Sequence, residues 1–112
     1  MKIKKIISEL GLKVFAEGQE SSVYEGYTSD LLSDVMANCK EDSLWVTIQR
    51  HMNVIAVAQL KKIKGIILPN GICPDDAVIK KAEEEGVYIL GTQYNAFDVS
   101  GKIYSILKNK TG

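Results

Sequence analysis

Apolar positions along the chain change their period several times, and each change marks an element. Ile3, Ile6, Ile7 and Leu10 follow helical spacing, and Gly11 supplies a C-terminal stop. LKVFA at 12–16 reads as a short strand, and SVYEGYT at 22–28 alternates weakly as a second strand does. In SDLLSDVMANC the period returns to that of a helix. Leu31, Leu32, Val35, Met36 and Cys39 fall on one face, with Ser29 or Asp30 as the expected cap.

LWVTIQ, rich in β-branched and aromatic residues, reads as a third strand. MNVIAVAQLKK offers Val54, Ile55, Val57, Ala58 and Ile63 for packing and fits strand or helix by period alone. Its alanines, its length and its terminal lysines favour a helix, with Asn53 as cap. GIIL at 65–68 is a fully apolar, buried strand, followed by a PNG turn. PDDAVIKKAEEEG carries the strongest helix signals: Pro74 at the first position, two aspartates in the first turn and Gly86 past the end. VYIL at 87–90 is another buried strand. NAFDVSGKIYSILKN is the last helix, with Asn95 and Asp98 spaced as a capping box, and KNKTG is a short tail.

Alternation of apolar strands with amphipathic helices predicts one α/β domain over residues 1–112. Its sheet is mostly parallel or mixed, has about five strands and is flanked by helices. A chain of 112 residues buries enough surface to fold without staples. Its 14 basic and 14 acidic residues cancel, and one arginine is present, so a nucleic-acid partner is not expected. No apolar run approaches the ~20 residues of a membrane span, and Ser8 and Glu9 interrupt the apolar start, so no membrane partner and no signal peptide are expected. A cytoplasmic protein is the expectation. Cys39 and Cys73 match no metal or redox spacing and read as buried small hydrophobes.

Trp45, Arg50 and His51, each the sole residue of its type, fall within seven positions. Trp45 fits the core better than a stacking platform. His51 has no histidine partner for a metal, and neither Asp30 nor Asp34 is spaced to make it a base, so no catalytic set, metal or cofactor is expected. A bland role for His51, bonding backbone where strand meets helix, competes with a binding role. In an open parallel sheet, anions bind beyond the strand ends, where helix N-termini present free N–H groups. Thr47, Gln49, Arg50, His51 and Asn53 lie at such an end, and Asn70 and Gly71 at the next. The candidate ligand-binding residues are therefore Thr47, Arg50, His51, Asn53 and Asn70. No phosphate-cradling glycine loop is present, which argues against an ATPase or a dinucleotide enzyme.

The succession GYTSDLLSDVM, LWVTIQRHMNVIAVAQL, GIILPNG, AEEEGVYILGT and NAF resembles the DRTGG domain family from about Ile3 to Leu107. The most specific stretches are Asp30–Met36 and Trp45–Ala58. Where the family's name-giving motif would stand, the chain reads ESSVYEGY and keeps Gly26 of the glycine pair. The resemblance implies a fold similar to the N-terminal domains of HPr kinase and Mur ligases. It implies a regulatory or dimerising module, of the kind that accompanies CBS domains in nucleotide-regulated pyrophosphatases and occurs within phosphotransacetylases. The expectation is a noncatalytic regulatory or protein-interaction module acting as a homodimer, with a protein partner or an anionic small molecule as further ligands. The alternatives are a sensor for a nucleotide or other phosphorylated metabolite near Thr47 to Asn53, and an enzyme pairing His51 with Asp30 or Asp34.

Overall fold

A computed structural model describes residues 1–108; Asn109 at the end of the expected last helix, and the rest of the KNKTG tail after Lys108, lie outside the described residues. The elements are α1 (Ile3–Leu10), β1 (Lys13–Ala16), β2 (Glu25–Thr28), α2 (Leu32–Asn38), β3 (Ser43–Val46), α3 (Asn53–Lys61), β4 (Gly65–Leu68), α4 (Asp76–Glu85), β5 (Tyr88–Gly91) and α5 (Ala96–Lys108). The five strands form one sheet in the order β1-β5-β4-β3-β2. β2, β3, β4 and β5 run parallel, and β1 closes one edge antiparallel to β5. The expected mixed α/β sheet is the observed one.

The sheet separates two apolar layers because successive strand residues point to opposite faces. Trp45, Ile66, Leu68 and Ile89 pack under α2, α3 and α4, with Val35, Val54, Ala58, Val78 and Ala82 opposite them. Leu44, Val46, Ile67, Tyr88 and Leu90 face α1 and α5, which contribute Ile3, Ile6, Val99 and Ile103. β3, β4 and β5 are buried at every position, as strands covered on both faces must be.

Right-handed crossovers that step steadily across the sheet place α2, α3 and α4 on one face. α1 lies on the opposite face, and after β5 the chain returns to that face, where α5 crosses back to lie over β2. In such a sheet a crevice opens where helices leave adjacent strands to opposite faces. That point falls between the β4–α4 and β5–α5 loops, one strand beyond the end of β3 where it was expected.

Several element ends also differ from expectation. β3 stops at Val46, short of Gln49. Asn53 is the first helical residue of α3 and Met52 the cap position, with no side-chain cap bond. Leu31, not Ser29 or Asp30, caps α2, and Pro74 precedes Asp75, the cap of α4. Gly11 and Gly86 do end their helices in the left-handed conformation, and Asn95 Oδ1 accepts from the Asp98 N–H at 2.8 Å. Leu31 and Met36 are exposed where a core face was expected, because α2 starts one residue late and runs only two turns. Cys39 is buried as expected, but Cys73 is exposed.

Candidate functional site

The site lies at the carboxyl edge of the sheet, where the loops after β2, β3 and β4 meet. Thr47 extends the ladder, its N–H donating to the Ile67 carbonyl at 3.1 Å. Its buried hydroxyl donates to Asp30 Oδ1 at 2.9 Å and accepts from the Gln49 N–H at 3.1 Å. Asp30 Oδ1 also accepts from the Ile48 N–H at 2.9 Å, and Gln49 Nε2 donates to the Asp30 carbonyl at 3.0 Å. Asp30 is thus a clamp that ties the β2–α2 loop to the β3–α3 loop. It is not a helix cap, and it does not share a helix face with Asp34.

Asp34 has separate partners. Tyr27 Oη and Asn38 Nδ2 each donate to its Oδ1 at 2.8 Å. Hydrogen bonds from Ser29, Asn38 and Tyr27 hold its carboxyl below the usual carboxylate range, while the bond to Asp34 raises the Tyr27 phenol. Both carboxylates are engaged away from His51, which stands beside Asp75 instead. The alternative pairing of His51 with Asp30 or Asp34 therefore does not form.

Past the clamp, the β3–α3 loop reaches the next loop. Arg50 Nη1 donates to the Cys73 carbonyl at 3.1 Å and stands 3.6 Å from Asp75 Oδ1. His51 Nδ1 stands 3.7 Å from Asp75 Oδ2. The side chains of Arg50, His51 and Asp75 are 46%, 67% and 56% exposed, so solvent reaches all three. The pairs sit beside the starts of α3 and α4, whose dipoles also favour a negative charge.

Of the five expected binding residues, the structure brings Arg50 and His51 together on one carboxylate. Thr47 is buried beneath them and committed to Asp30. Asn53 is exposed at the first turn of α3, and Asn70 lies one strand over. Asn70 and Gly71 both take positive φ (59° and 70°) and form the turn that the PNG triplet foretells. Their N–H groups donate to the carbonyls of Tyr94 and Thr92, each at 2.9 Å, so the β4–α4 loop is pinned to the β5–α5 loop. Beside that turn, at the change of face, lies a cavity of about 160 Å³ lined by Lys13, Phe15, Ile72, Cys73, Thr92 and Gln93.

Sequence reasoning missed Asp75 as the partner of both Arg50 and His51. The signal was there in part: loops after adjacent parallel strands are neighbours, but Asp75 was explained by the helix it begins. Among the described residues, no group of three or more His, Cys, Asp or Glu side chains converges as metal ligands, and no helix is long and apolar enough to cross a membrane.

Among solved structures, the fold is similar to the CBS and DRTGG domains of the regulatory region of Clostridium perfringens pyrophosphatase, complexed with the activator diadenosine tetraphosphate. The TM-score is 0.71 at 15% identity, covering 88% of this chain. The likeness spans 44% of that structure's chain. No curated protein matches the sequence. The DRTGG domain pattern matches residues 5–106, nearly the whole length. This chain belongs to the DRTGG domain family.

Proposed function

We propose that this chain is a noncatalytic regulatory module that acts as a homodimer. The observation that carries the reading is how the polar side chains at the strand ends are spent. Asp30, Thr47, Arg50 and Asp75 tie loop to loop, and the sole imidazole pairs with a carboxylate and not with a nucleophile. A catalytic base needs the group it deprotonates within reach, and among the described residues no hydroxyl or thiol is hydrogen-bonded to His51. Membership of the family and the fold shared with a pyrophosphatase regulatory region support the regulatory part of this reading. The test is the mass of the chain by sedimentation across a wide concentration range, together with capture of protein partners. A chain that stays monomeric throughout would sink it, whatever partner it captures.

A second reading has its own support. Arg50 and His51 hold Asp75 at 3.6 and 3.7 Å on an exposed surface, where such pairs are worth only about 0–1 kcal/mol each. An anionic ligand offering several oxygens would compete for the Arg50 guanidinium and the His51 ring and release the start of α4. Thr47 would position the loop from below, while Asn53 and Asn70 would flank the ligand. The relative's complex with a nucleotide activator makes nucleotides the first probes. Thermal-shift assays with ATP, diadenosine tetraphosphate and pyrophosphate decide it: binding raises the melting temperature by mass action. An R50A/H51A double variant should lose the shift. No shift with any of the three, or an equal shift in the variant, would exclude this site.

A further inference from the structure

We propose that the outer face of α5 is a self-association surface, in which Phe97 of each copy enters the groove between β2 and α5 of the other. The proposal rests on the homodimer reading above and assigns its contact.

β2 forms the edge of the sheet away from β1. Between it and α5 runs a groove of about 210 Å³, floored by Gly26 and Val46 and walled by Ile103, Tyr104 and Leu107. The missing side chain at Gly26 opens it, since a Cβ there would lie 3.4 Å from Ile103 Cγ2. A Thr28–Ser100 hydroxyl bond of 2.6 Å closes one end, and the Glu25–Lys108 ion pair of 2.7 Å closes the other. The result is a short apolar slot with satisfied polar ends. It is smaller than sites for drug-sized ligands, which start at about 300 Å³, and suits a single aromatic side chain.

The same helix carries such a side chain. Phe97 is 85% exposed, and Tyr104, two turns on along the same stripe, is 68% exposed. Gly101 lies between them, with open space where a Cβ would be. Set antiparallel about a two-fold axis at Gly101, two copies of α5 can approach closely. Each Phe97 then lies about 6 Å from the axis, at the level of the partner's Tyr104 and the mouth of its slot. The contact is self-complementary, as a two-fold interface must be. Glu25 neutralises Lys108 on the stripe, while Asp98 and Lys102 flank Phe97 and Gly101, with Lys102 Nζ 4.7 Å over the Tyr94 ring.

The area fits a modest dimer. At about 200 Å² per aromatic side chain, the 85%, 68% and 43% exposures of Phe97, Tyr104 and Tyr94 offer about 400 Å² per copy. That is half of the ~800 Å² per partner in a standard interface, with the flanking side chains left to supply the rest. A patch of about this size is in the range of the largest apolar patch on an ordinary monomer, which is often functional.

The experiment compares the wild-type chain with F97E and with G101C in a C73S background, by sedimentation and by mild oxidation. Phe97 is exposed, so F97E should keep its circular dichroism and melting temperature while weakening the dimer about thirtyfold or more, as loss of a buried aromatic anchor does. G101C should form an interchain disulfide, and an E84C/C73S control on α4 should not. A wild-type dimer that F97E leaves intact and G101C fails to cross-link would overturn this interface and leave the homodimer reading standing. A wild-type chain that is monomeric throughout would overturn both, even if another protein were found on the α5 face.

Discussion

Arg50 Nη1 stands 3.6 Å from Asp75 Oδ1, and that contact joins the end of β3 to the start of α4 across two loops. Both groups are about half exposed, so the pair contributes little to stability and removal of the carboxylate frees Arg50 and His51. D75N should therefore change the unfolding free energy by less than about 1 kcal/mol. If anions compete for this clasp, D75N should tighten pyrophosphate binding severalfold, and calorimetric titration checks it. Weaker binding in D75N would mean that the carboxylate assists the ligand.

Asp30 holds the neighbouring loops with charge-assisted bonds to the Thr47 hydroxyl and the Ile48 N–H. Its loss also leaves the buried Thr47 hydroxyl without its acceptor. D30A should destabilise by about 2 kcal/mol, more than removal of any single exposed ion pair. Urea unfolding measures this directly.

Asp34 and Glu25 contribute to stability on the acid side. Hydrogen bonds from Ser29, Asn38 and Tyr27 lower the first, and the Lys108 hydrogen bond lowers the second. A carboxyl whose folded pKa lies below its unfolded value stabilises the fold above the unfolded value, near ~4. That contribution is lost as pH falls through the folded value. Stability should thus decline below about pH 4, and a D34N/E25Q variant should show a flatter acid limb in denaturant melts. An unchanged limb would assign acid sensitivity to other groups.

Two positions under the sheet test the packing. A Cβ on Gly18 would sit 2.5 Å from the Tyr88 backbone nitrogen, a clash with main chain that no rotamer relieves. G18A should cost about 2–4 kcal/mol. Tyr88 is itself buried, and its hydroxyl finds no protein partner among the described residues. Y88F should therefore be neutral or stabilising, by up to about 1 kcal/mol, in contrast to the usual cost of a core substitution. Thermal melts of the two variants separate these outcomes.

How much of this was legible in the sequence follows from the range of each interaction. The elements are local and periodic: GIIL can only be a strand buried on both faces, and Gly86 after a polar helix can only be its end. α3 was ambiguous because its apolar residues Val54, Ile55, Val57 and Ala58 do not alternate, and its alanines decided it. Trp45 was correctly placed in the core, where its indole N–H donates to the Ser29 carbonyl at 2.8 Å. Loop partners were not legible. Asp30 looked like a helix cap and Asp75 like a first-turn acid, because both are local rules, whereas their carboxylates answer to residues 17 to 25 positions away. The exposed Phe97 was equally silent, since a helix period does not say which apolar residues are left outside.

The most direct measurement of the central claim is the molecular mass of the chain by sedimentation, from dilute to concentrated solution without ligand. A regulatory module that works as a homodimer predicts a concentration-dependent approach to twice the 12.4 kDa chain mass. A mass fixed at that of one chain at every concentration would contradict it.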